Sequence, residues 1–251
     1  MQVELDVNKT IDQNASVYFE KAKKLKKKID GIKKTIAEHE RLLLKEQEKE
    51  EKKAIIKKTR QQKEWYEKFR WFYSSDGFFV LAGRDATTNE ILIKKHTEKN
   101  DIVFHADAPG SPFVIIKTSV KVPQTTLQEA AEYCVSLSNA WKRGLSAAEV
   151  YWITPEQVSK EAKSGEYLKK GAFMIYGKRN YMIPKMNLAI CNYQEKISVF
   201  PVSAAKKHTD KYVLLVQGNK KLSEIAKKIQ KKIGGEIDDI VRALPQGVDI
   251  A

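Results

Sequence analysis

Two residues in the segment "DIVFHAD" have the types and spacing of a ligand-binding or catalytic pair. His105 and Asp107 lie two positions apart in a segment that has the composition of a strand. Because alternate residues of a strand point to the same face, both side chains would lie together and suit a ligand or a metal ion. A hydrogen-bonded pair with a structural role explains the same spacing, and the sequence leaves both interpretations open.

The triplet Gly83-Arg84-Asp85 combines a turn residue with two opposite charges. An arginine at such a turn suits a phosphate group, whereas an ion pair between Arg84 and Asp85 would only shape the turn. An enzymatic hypothesis would depend on Asp85 together with His105 and Asp107. The chain has no GxSxG, Walker or HExxH motif, so we expect neither enzymatic activity nor a metal or cofactor.

The segment "YGKRNYMIPK" brings cationic and aromatic side chains into one predicted exposed turn. Such a loop contacts both phosphates and bases in RNA-binding proteins. An ordinary hairpin turn has a similar composition. The candidate contact residues are Tyr176, Lys178, Arg179 and Tyr181.

A further candidate anion site lies in "IKTSVKVP", between a predicted strand and a predicted helix. Lys117 and Lys121 flank two hydroxyl side chains there, and backbone N–H groups before a helix suit an anion. We therefore include both lysines, with Arg84, among the predicted RNA contacts.

The aromatic segment "EKFRWFYSSDGFFVLAGRD" predicts either a base-stacking platform or a hydrophobic core. Its two strands are apolar on both faces, which is typical of strands buried on both sides. A stacking platform requires interleaved cations, and only Arg70 and Arg84 lie nearby. We therefore predict a core hairpin whose tight two-residue turn is Asp76-Gly77.

The overall composition favours a polyanionic partner. The 251 residues are 42% hydrophobic and 31% charged, with a net charge of +14. That excess suits RNA, DNA or an anionic surface, although charged helices produce a basic balance by themselves. Cys134 and Cys191 form no CxxC motif, so we expect reduced thiols in a cytoplasmic protein. No apolar run approaches the ~18 residues of a membrane span, and we expect no signal peptide.

Residues 1–64 are predicted to form a coiled-coil arm. Val17–Glu64 contains no proline, and apolar or small residues recur there at heptad spacing from Tyr18 to Leu43. Asn14 or Ser16 is a suitable helix cap. The segment has 17 Lys and Arg against 9 Asp and Glu. A helix that is polar on most faces needs a partner along its apolar seam, so we expect either a homodimer or a hairpin with a further segment.

Residues 65–251 predict an α+β domain with packed helices on a mixed, largely antiparallel sheet. Helices are predicted in "TTNEILIKKH", in "TLQEAAEYCVSLSNAWKRG" from Thr126 to a stop at Gly144, and at Leu222–Ile233. Further strands are predicted in "SPFVIIK" and "AEVYWIT" and at Ala172–Tyr176, Tyr181–Ile183, Leu188–Tyr193, Lys196–Pro201 and Tyr212–Gln217. The turn before "SPFVIIK" begins at Ala108 and Pro109.

The order of these segments resembles the NFACT family of ribosome quality control proteins. The residues that carry the resemblance are Trp71-Phe72, Ser74-Ser75, Gly83-Arg84-Asp85, Asn89-Glu90, Asp101-Ile102, His105-Ala106-Asp107, Gly110 and Ile116-Lys117. The segment "NASVYFEKAKKLKKKIDG" resembles the family's return into the coiled coil, whereas "GAFMIYGKRNYMIP" and "IDDIVRALPQGVDI" resemble its archaeal branch. The chain therefore resembles the second arm of the family's coiled-coil M domain, followed by its NFACT-R domain.

The resemblance implies a cytoplasmic RNA-binding module without an active site of its own. Its partners would be the large ribosomal subunit obstructed by peptidyl-tRNA and tRNA or rRNA, and the family supports C-terminal tailing of the stalled chain. The alternative is a protein-interaction or dimerisation module, or a general nucleic-acid-binding domain, without a ribosomal role.

Overall fold

The computed structural model describes residues 3–59, 64–107, 110–161 and 168–251, without the side chains of residues 47–59. The chain divides into two compact units, Met1–Lys63 and Glu64–Ala251. The predicted turn residues Ala108 and Pro109 lie outside the described residues. In the part of the chain that the structure describes, no helix combines the length and apolarity that a membrane span requires.

The first unit is built on one long helix, α1 (Ile11–Thr59). Its start is fixed by reciprocal bonds, since Gln13 N donates to Thr10 Oγ1 and Thr10 N donates to Gln13 Oε1. The predicted caps were therefore wrong. Asn14 lies inside the first turn, where its side chain bonds to the backbone of Asp6.

The predicted apolar seam lies on the surface of α1. The large aliphatic residues along it are each more than half exposed, and they are Leu25, Ile29, Ile32, Ile36 and Leu43. A long helix with an exposed apolar seam is typical of a helix that packs against another one. The coiled-coil pairing itself stays a prediction.

The second unit combines antiparallel sheets with helices, which confirms the predicted α+β class. Its strands are β1 (Arg70–Tyr73), β2 (Phe79–Ala82), β3 (Ile102–Ala106), β4 (Val114–Lys117), β5 (Val150–Ile153), β6 (Val158–Ser159), β7 (Met174–Ile175), β8 (Asn180–Met182), β9 (Leu188–Tyr193), β10 (Lys196–Pro201), β11 (Tyr212–Gln217) and β12 (Val248–Ile250). Its helices are α2 (Ala86–His96), α3 (Gln124–Ser136), α4 (Asn139–Lys142), α5 (Val202–His208), α6 (Leu222–Ile233) and α7 (Ile237–Ala243), with short 3-10 turns at Trp65–Lys68 and Pro155–Gln157.

Two main sheets form the framework of this unit. The larger has the order β1-β2-β4-β3-β5-β8 and the smaller the order β10-β9-β11-β12, while β6 pairs with β7. The two main sheets meet where Ser198 Oγ donates to Trp71 O (2.6 Å) and the rings of Trp71 and Phe200 pack edge to face. Strand β8 therefore lies at the edge of the larger sheet that is farthest from β1.

The hairpin of β1 and β2 belongs to the core, as predicted. Phe72 and Leu81 are fully buried, and Trp71 is 5% exposed. Its turn was predicted wrongly, because five residues, Ser74 to Phe78, separate the two strands. Gly77 has a φ of +84°, but Asp76 does not have a positive φ. The Asp76 carboxylate instead accepts a hydrogen bond from Thr126 Oγ1 at 2.7 Å.

The single helix predicted from Thr126 to Gly144 is divided into α3 and α4. Ser138 lies between the two helices. Its hydroxyl donates to Val135 O at the end of α3 and accepts from Ala140 N at the start of α4. Thr126 was predicted as the cap, but it is buried inside α3. Such local hydroxyl bonds compete with a continuous helix.

Candidate nucleic-acid interface

Strand β8 presents an aromatic side chain at the edge of the larger sheet. Tyr181 lies opposite Tyr151 of β5 in the antiparallel register, and the two rings meet edge to face at 5.6 Å between centroids. Tyr181 is 51% exposed, whereas Tyr151 is 3% exposed. The buried ring thus supports an exposed ring, and an exposed aromatic ring is what a stacking surface for bases requires.

Arg179 lies beside both rings. Its guanidinium carbon is 4.8 Å from the centroid of Tyr151, and its Nη1 lies 3.5 Å from the hydroxyl of Tyr181. The hydrogen bond to Tyr181 raises the pKa of Arg179 above its ordinary value. A guanidinium stacked on an aromatic face keeps its edge available for a phosphate or a base.

The loop before β8 is held by the side chain of Gln157. The Gln157 amide nitrogen donates to Tyr176 O (2.7 Å) and to Lys178 O (2.9 Å), and Tyr176 N donates to Gln157 O. Gly177 has a φ of +77°, and a Cβ there would lie 2.8 Å from Gln157 Nε2. These bonds involve only backbone atoms of Tyr176 and Lys178, whose side chains are exposed.

An aromatic row continues from Tyr151 into the core. The His105 ring lies parallel to Tyr151 at 6.1 Å, and Phe113 packs edge to face on His105 at 4.4 Å. Burial lowers the pKa of His105, and His105 Nδ1 donates to Ala106 O (2.6 Å). Burial also raises the pKa of Tyr151 to about 12. His105 therefore packs beside the Tyr151 ring from the neighbouring strand β3.

Asp107 is exposed at the end of β3. Its charge adds to the raised pKa of Arg179 and offsets part of the lowering of the His105 pKa by burial. No group of three His, Cys, Asp or Glu side chains that would hold a metal lies among the described residues.

The triplet Gly83-Arg84-Asp85 lies elsewhere, at the turn between β2 and α2. Asp85 caps α2 by accepting a hydrogen bond from Thr88 N, and this bond lowers the Asp85 pKa. Arg84 does not pair with Asp85. Its guanidinium donates instead to the carbonyls of Phe69 and Arg242. Arg84 as an RNA contact stays a prediction.

Three other family-motif residues hold this turn and the neighbouring loops together. Asn89 Oδ1 accepts from Phe113 N, and a Cβ at Gly83 would lie 1.8 Å from that oxygen. Glu90 pairs with Lys94 within α2 at 2.7 Å, and its other carboxylate oxygen accepts from Gly171 N (3.3 Å) and pairs with Lys160 at 3.6 Å. Gly110 has a φ of +80°, and a Cβ there would lie 2.4 Å from the Asn139 amide. Each of these contacts is structural.

The two lysines predicted after β4 differ in environment. Lys117 Nζ lies 2.7 Å from the fully buried carboxylate of Asp101 and 3.0 Å from that of Glu98. Lys121 is exposed and has no ion pair or hydrogen bond among the described side chains. Lys121 is therefore the one of the two whose ammonium group is available to a ligand.

The structure thus brings together four of the predicted contact residues, and we call them the Tyr181 surface: Tyr176, Lys178, Arg179 and Tyr181. Arg84, Lys117 and Lys121 belong to other loops. Sequence reasoning missed Tyr151 and Gln157, which position this surface. The aromatic character of "VYWIT" was visible in the sequence, but the pairing of β5 with β8 depends on long-range contacts that no local pattern specifies.

Comparison with known proteins identifies the central part of this unit. The NFACT protein RNA binding domain matches residues 68–177, a range that includes Tyr176 and ends just before Lys178. The archaeal Rqc2 homolog aRqcH of Methanocaldococcus jannaschii is 47% identical over 197 residues, which are 75% of this chain and 29% of that protein. The human ribosome quality control complex subunit NEMF is 35% identical over 178 residues, 68% of this chain and 16% of that protein.

The chain therefore spans less than a third of the length of these curated relatives. Among solved structures, the C-terminal part of the fibronectin/fibrinogen-binding protein from Streptococcus suis covers 50% of the chain at 22% identity. Its TM-score of 0.42 is too low to support an argument about this protein.

Proposed function

This chain belongs to the NFACT family, as both the domain match and the curated relatives indicate, and we propose that its second unit binds RNA through the Tyr181 surface. The observation that carries the proposal is the exposed Tyr181 ring beside a guanidinium stacked on Tyr151. An exposed ring offers a stacking face to any base, and the neighbouring cation contacts the phosphate or the base edge.

The charge of the chain supports the same proposal. The net charge is +14, and Lys178 adds an exposed ammonium group beside Arg179. Phosphate contacts supply most of the affinity in RNA binding that depends little on sequence. Lys121, exposed after β4, is an additional candidate contact. We place Arg84 and Lys117 outside the Tyr181 surface, because their side chains already bond within the domain.

At the cellular level, we propose that the chain is the RNA- and ribosome-binding part of a ribosome quality control factor. In this role it recognises large subunits obstructed by peptidyl-tRNA in the cytoplasm and supports C-terminal tailing of the stalled chain. The proposal is supported by the names of the relatives and by their sequence identity. The chain contributes binding, and we assign it no catalytic residue.

The direct test is RNA binding measured by fluorescence anisotropy across a salt series. Each phosphate contact contributes about −0.7 to the slope of log affinity against log salt for single strands. Lys178→Ala with Arg179→Ala removes two contacts, so we expect the slope to become shallower by roughly 1.4 and the affinity to fall. The matched control, Lys227→Ala with Lys231→Ala on α6, removes the same charge from exposed positions.

If the proposal is right, the control pair keeps most of the wild-type affinity and slope. Equal losses in both double variants would mean that general basic charge binds the RNA. A flat salt response in the wild type would contradict RNA binding through phosphates altogether.

A second candidate function is self-association through α1. The exposed seam of α1 supports it, because Ile29, Ile32 and Ile36 each present more than half of their surface to solvent. We propose that this chain forms a homodimer along that seam. Light scattering should then show a dimer that Ile29→Glu with Ile36→Glu converts to a monomer. A wild-type monomer at high concentration would contradict the dimer.

A further inference from the structure

Three arginines converge at the end of the core hairpin that lies opposite its turn. Arg70 begins β1 and pairs in register with Ala82, two residues before Arg84. The Arg84 guanidinium donates through Nη2 to Phe69 O (3.0 Å) and through Nη1 to Arg242 O (2.6 Å). These bonds join the start of β1, the turn after β2 and helix α7, and the Arg242 guanidinium lies at the same place, where its Nη2 donates to Glu67 O (3.4 Å).

None of these three guanidiniums forms an ion pair within the described residues. Two of the nearby acids are engaged elsewhere, whereas Asp238 and Asp239, one turn before Arg242 on α7, are exposed to solvent. Glu67 pairs with Lys196 at 2.9 Å, and Asp85 caps α2. Burial, together with the charges of the neighbouring arginines, lowers the pKa of Arg84 to about 10. The cluster is therefore a concentration of positive charge in which no guanidinium is in ion-pair contact with a carboxylate of the described residues.

Three buried donors of this cluster also have no hydrogen-bond partner among the described residues. They are Arg70 Nε, Arg84 Nε and the hydroxyl of Tyr133. Tyr133 is fully buried in α3, its ring packs on Phe72 at 4.6 Å, and the charges of both arginines act on its hydroxyl. Buried polar groups in proteins are nearly always hydrogen-bonded, so these three donors require an acceptor that the described residues do not supply.

We propose that Arg70, Arg84, Arg242 and the Tyr133 hydroxyl form a binding site for a phosphate group. Guanidinium forks match phosphate oxygens in geometry, and a dianion or monoanion offsets the uncompensated charge. The phosphate is either a free inorganic group or a phosphodiester of RNA. The second source rests on the proposed RNA-binding function, whereas the first does not.

The first experiment needs no RNA. Thermal unfolding of the chain is measured in phosphate and in chloride at equal ionic strength, for the wild type, Arg242→Gln and Tyr133→Phe. Arg242→Gln keeps the backbone carbonyl that Arg84 uses, and Tyr133→Phe keeps the ring that packs on Phe72. The matched control is Arg143→Gln, which removes one exposed charge elsewhere.

We expect phosphate at about ten times its Kd to raise the Tm of the wild type and of Arg143→Gln by about 3 °C more than chloride does. The rise should be lost in Arg242→Gln and reduced in Tyr133→Phe. Phosphate also stabilises proteins without binding them, and that effect acts equally on all variants. Equal rises in all four proteins would therefore overturn the proposal.

The second experiment identifies the source of the phosphate group. Binding of a single-stranded RNA is compared in Arg242→Gln, in Arg143→Gln and in the Lys178→Ala, Arg179→Ala variant. A loss of affinity in Arg242→Gln beyond that in Arg143→Gln supports a phosphodiester. Unchanged RNA affinity together with the specific Tm response supports free phosphate. Because the Tm response involves no RNA, failure of the Tyr181 surface and failure of this site give different results.

Discussion

The guanidinium of Arg179 covers the ring of Tyr151, with 4.8 Å between the guanidinium carbon and the ring centroid. This contact fixes a cation at the edge of the larger sheet and next to an exposed ring, that of Tyr181. A cation and a ring held side by side lose little conformational entropy when a nucleotide binds. The RNA-binding proposal follows from this pre-organisation more than from the total charge.

The Tyr181 ring is expected to stack on a base. Tyr181→Ala should weaken binding of single-stranded RNA by about 1–3 kcal/mol, which is roughly 5- to 150-fold, while Tyr181→Phe keeps the stacking face and most of the affinity. Anisotropy titrations measure both. Because Tyr181 is 51% exposed, thermal unfolding should change little in either variant. Equal affinities of the Ala and Phe variants would argue against stacking.

Replacing Lys117 should destabilise the domain, whereas replacing Lys121 should not. Lys117→Ala leaves the buried carboxylate of Asp101 without its counter-ion, so we expect the free energy of unfolding to fall by about 3 kcal/mol. Lys121→Ala removes an exposed charge and should change stability by less than about 0.5 kcal/mol. Urea denaturation checks both values. Equal stability of the two variants would contradict the structural role of Lys117.

Gly83 is required by its contact with Asn89 rather than by its backbone angle. Gly83→Ala places a Cβ 1.8 Å from Asn89 Oδ1, which must move away and leave Phe113 N without its acceptor. We expect a loss of about 2–4 kcal/mol in the free energy of unfolding. Gly31→Ala is the matched control, because a Cβ at Gly31 meets nothing within 4 Å. A neutral Gly83→Ala variant would contradict this packing.

His105 should make the stability of the domain dependent on pH. Its pKa is lowered by burial, while in the unfolded chain it has the ordinary value of about 6.5. As the pH falls, the unfolded state therefore binds a proton first. The contribution of neutral His105 to the free energy of unfolding is fully present above about pH 7. It is lost as the pH falls through about 6.5 toward the lowered pKa.

His105→Phe keeps an aromatic ring between Tyr151 and Phe113 and removes this titration. The Tm of the wild type should fall more between pH 7.5 and pH 5.5 than the Tm of the variant. Burial lowers the pKa of His96 too, but His96 is present in both proteins and cancels in the comparison. Identical pH profiles would mean that His105 does not titrate differently in the two states.

Strands and helices with strong apolar patterns were predictable from sequence, whereas turns with tertiary contacts were not. The predicted bounds of β9, β10, β11 and α6 coincide with those of the structure. The expected tight turn at Asp76-Gly77 is a longer loop, because Asp76 bonds to Thr126 of α3. A two-residue turn does occur between β9 and β10 at Gln194 and Glu195, which both have positive φ although neither is glycine. Tertiary packing therefore overrides the turn preferences of single residues.

The candidate site was predictable only in part for a similar reason. "YGKRNYMIPK" lies within one short segment, so its composition alone indicated an exposed basic and aromatic loop. The support from Tyr151 depends on the pairing of β5 with β8, and the bonds of Arg84 depend on α7, which lies far along the chain. Arg84, which its turn sequence suggested as a phosphate ligand, therefore forms hydrogen bonds within the domain.

The most direct test of RNA binding through the Tyr181 surface is ultraviolet crosslinking of the chain to a uridine-rich oligonucleotide, with the crosslinked peptides identified by mass spectrometry. We expect crosslinks in the peptide that contains Tyr176 to Tyr181, and their loss in Tyr181→Ala. Crosslinks confined to other peptides, such as the lysine-rich face of α6, with none between Tyr176 and Tyr181, would contradict RNA binding through the Tyr181 surface.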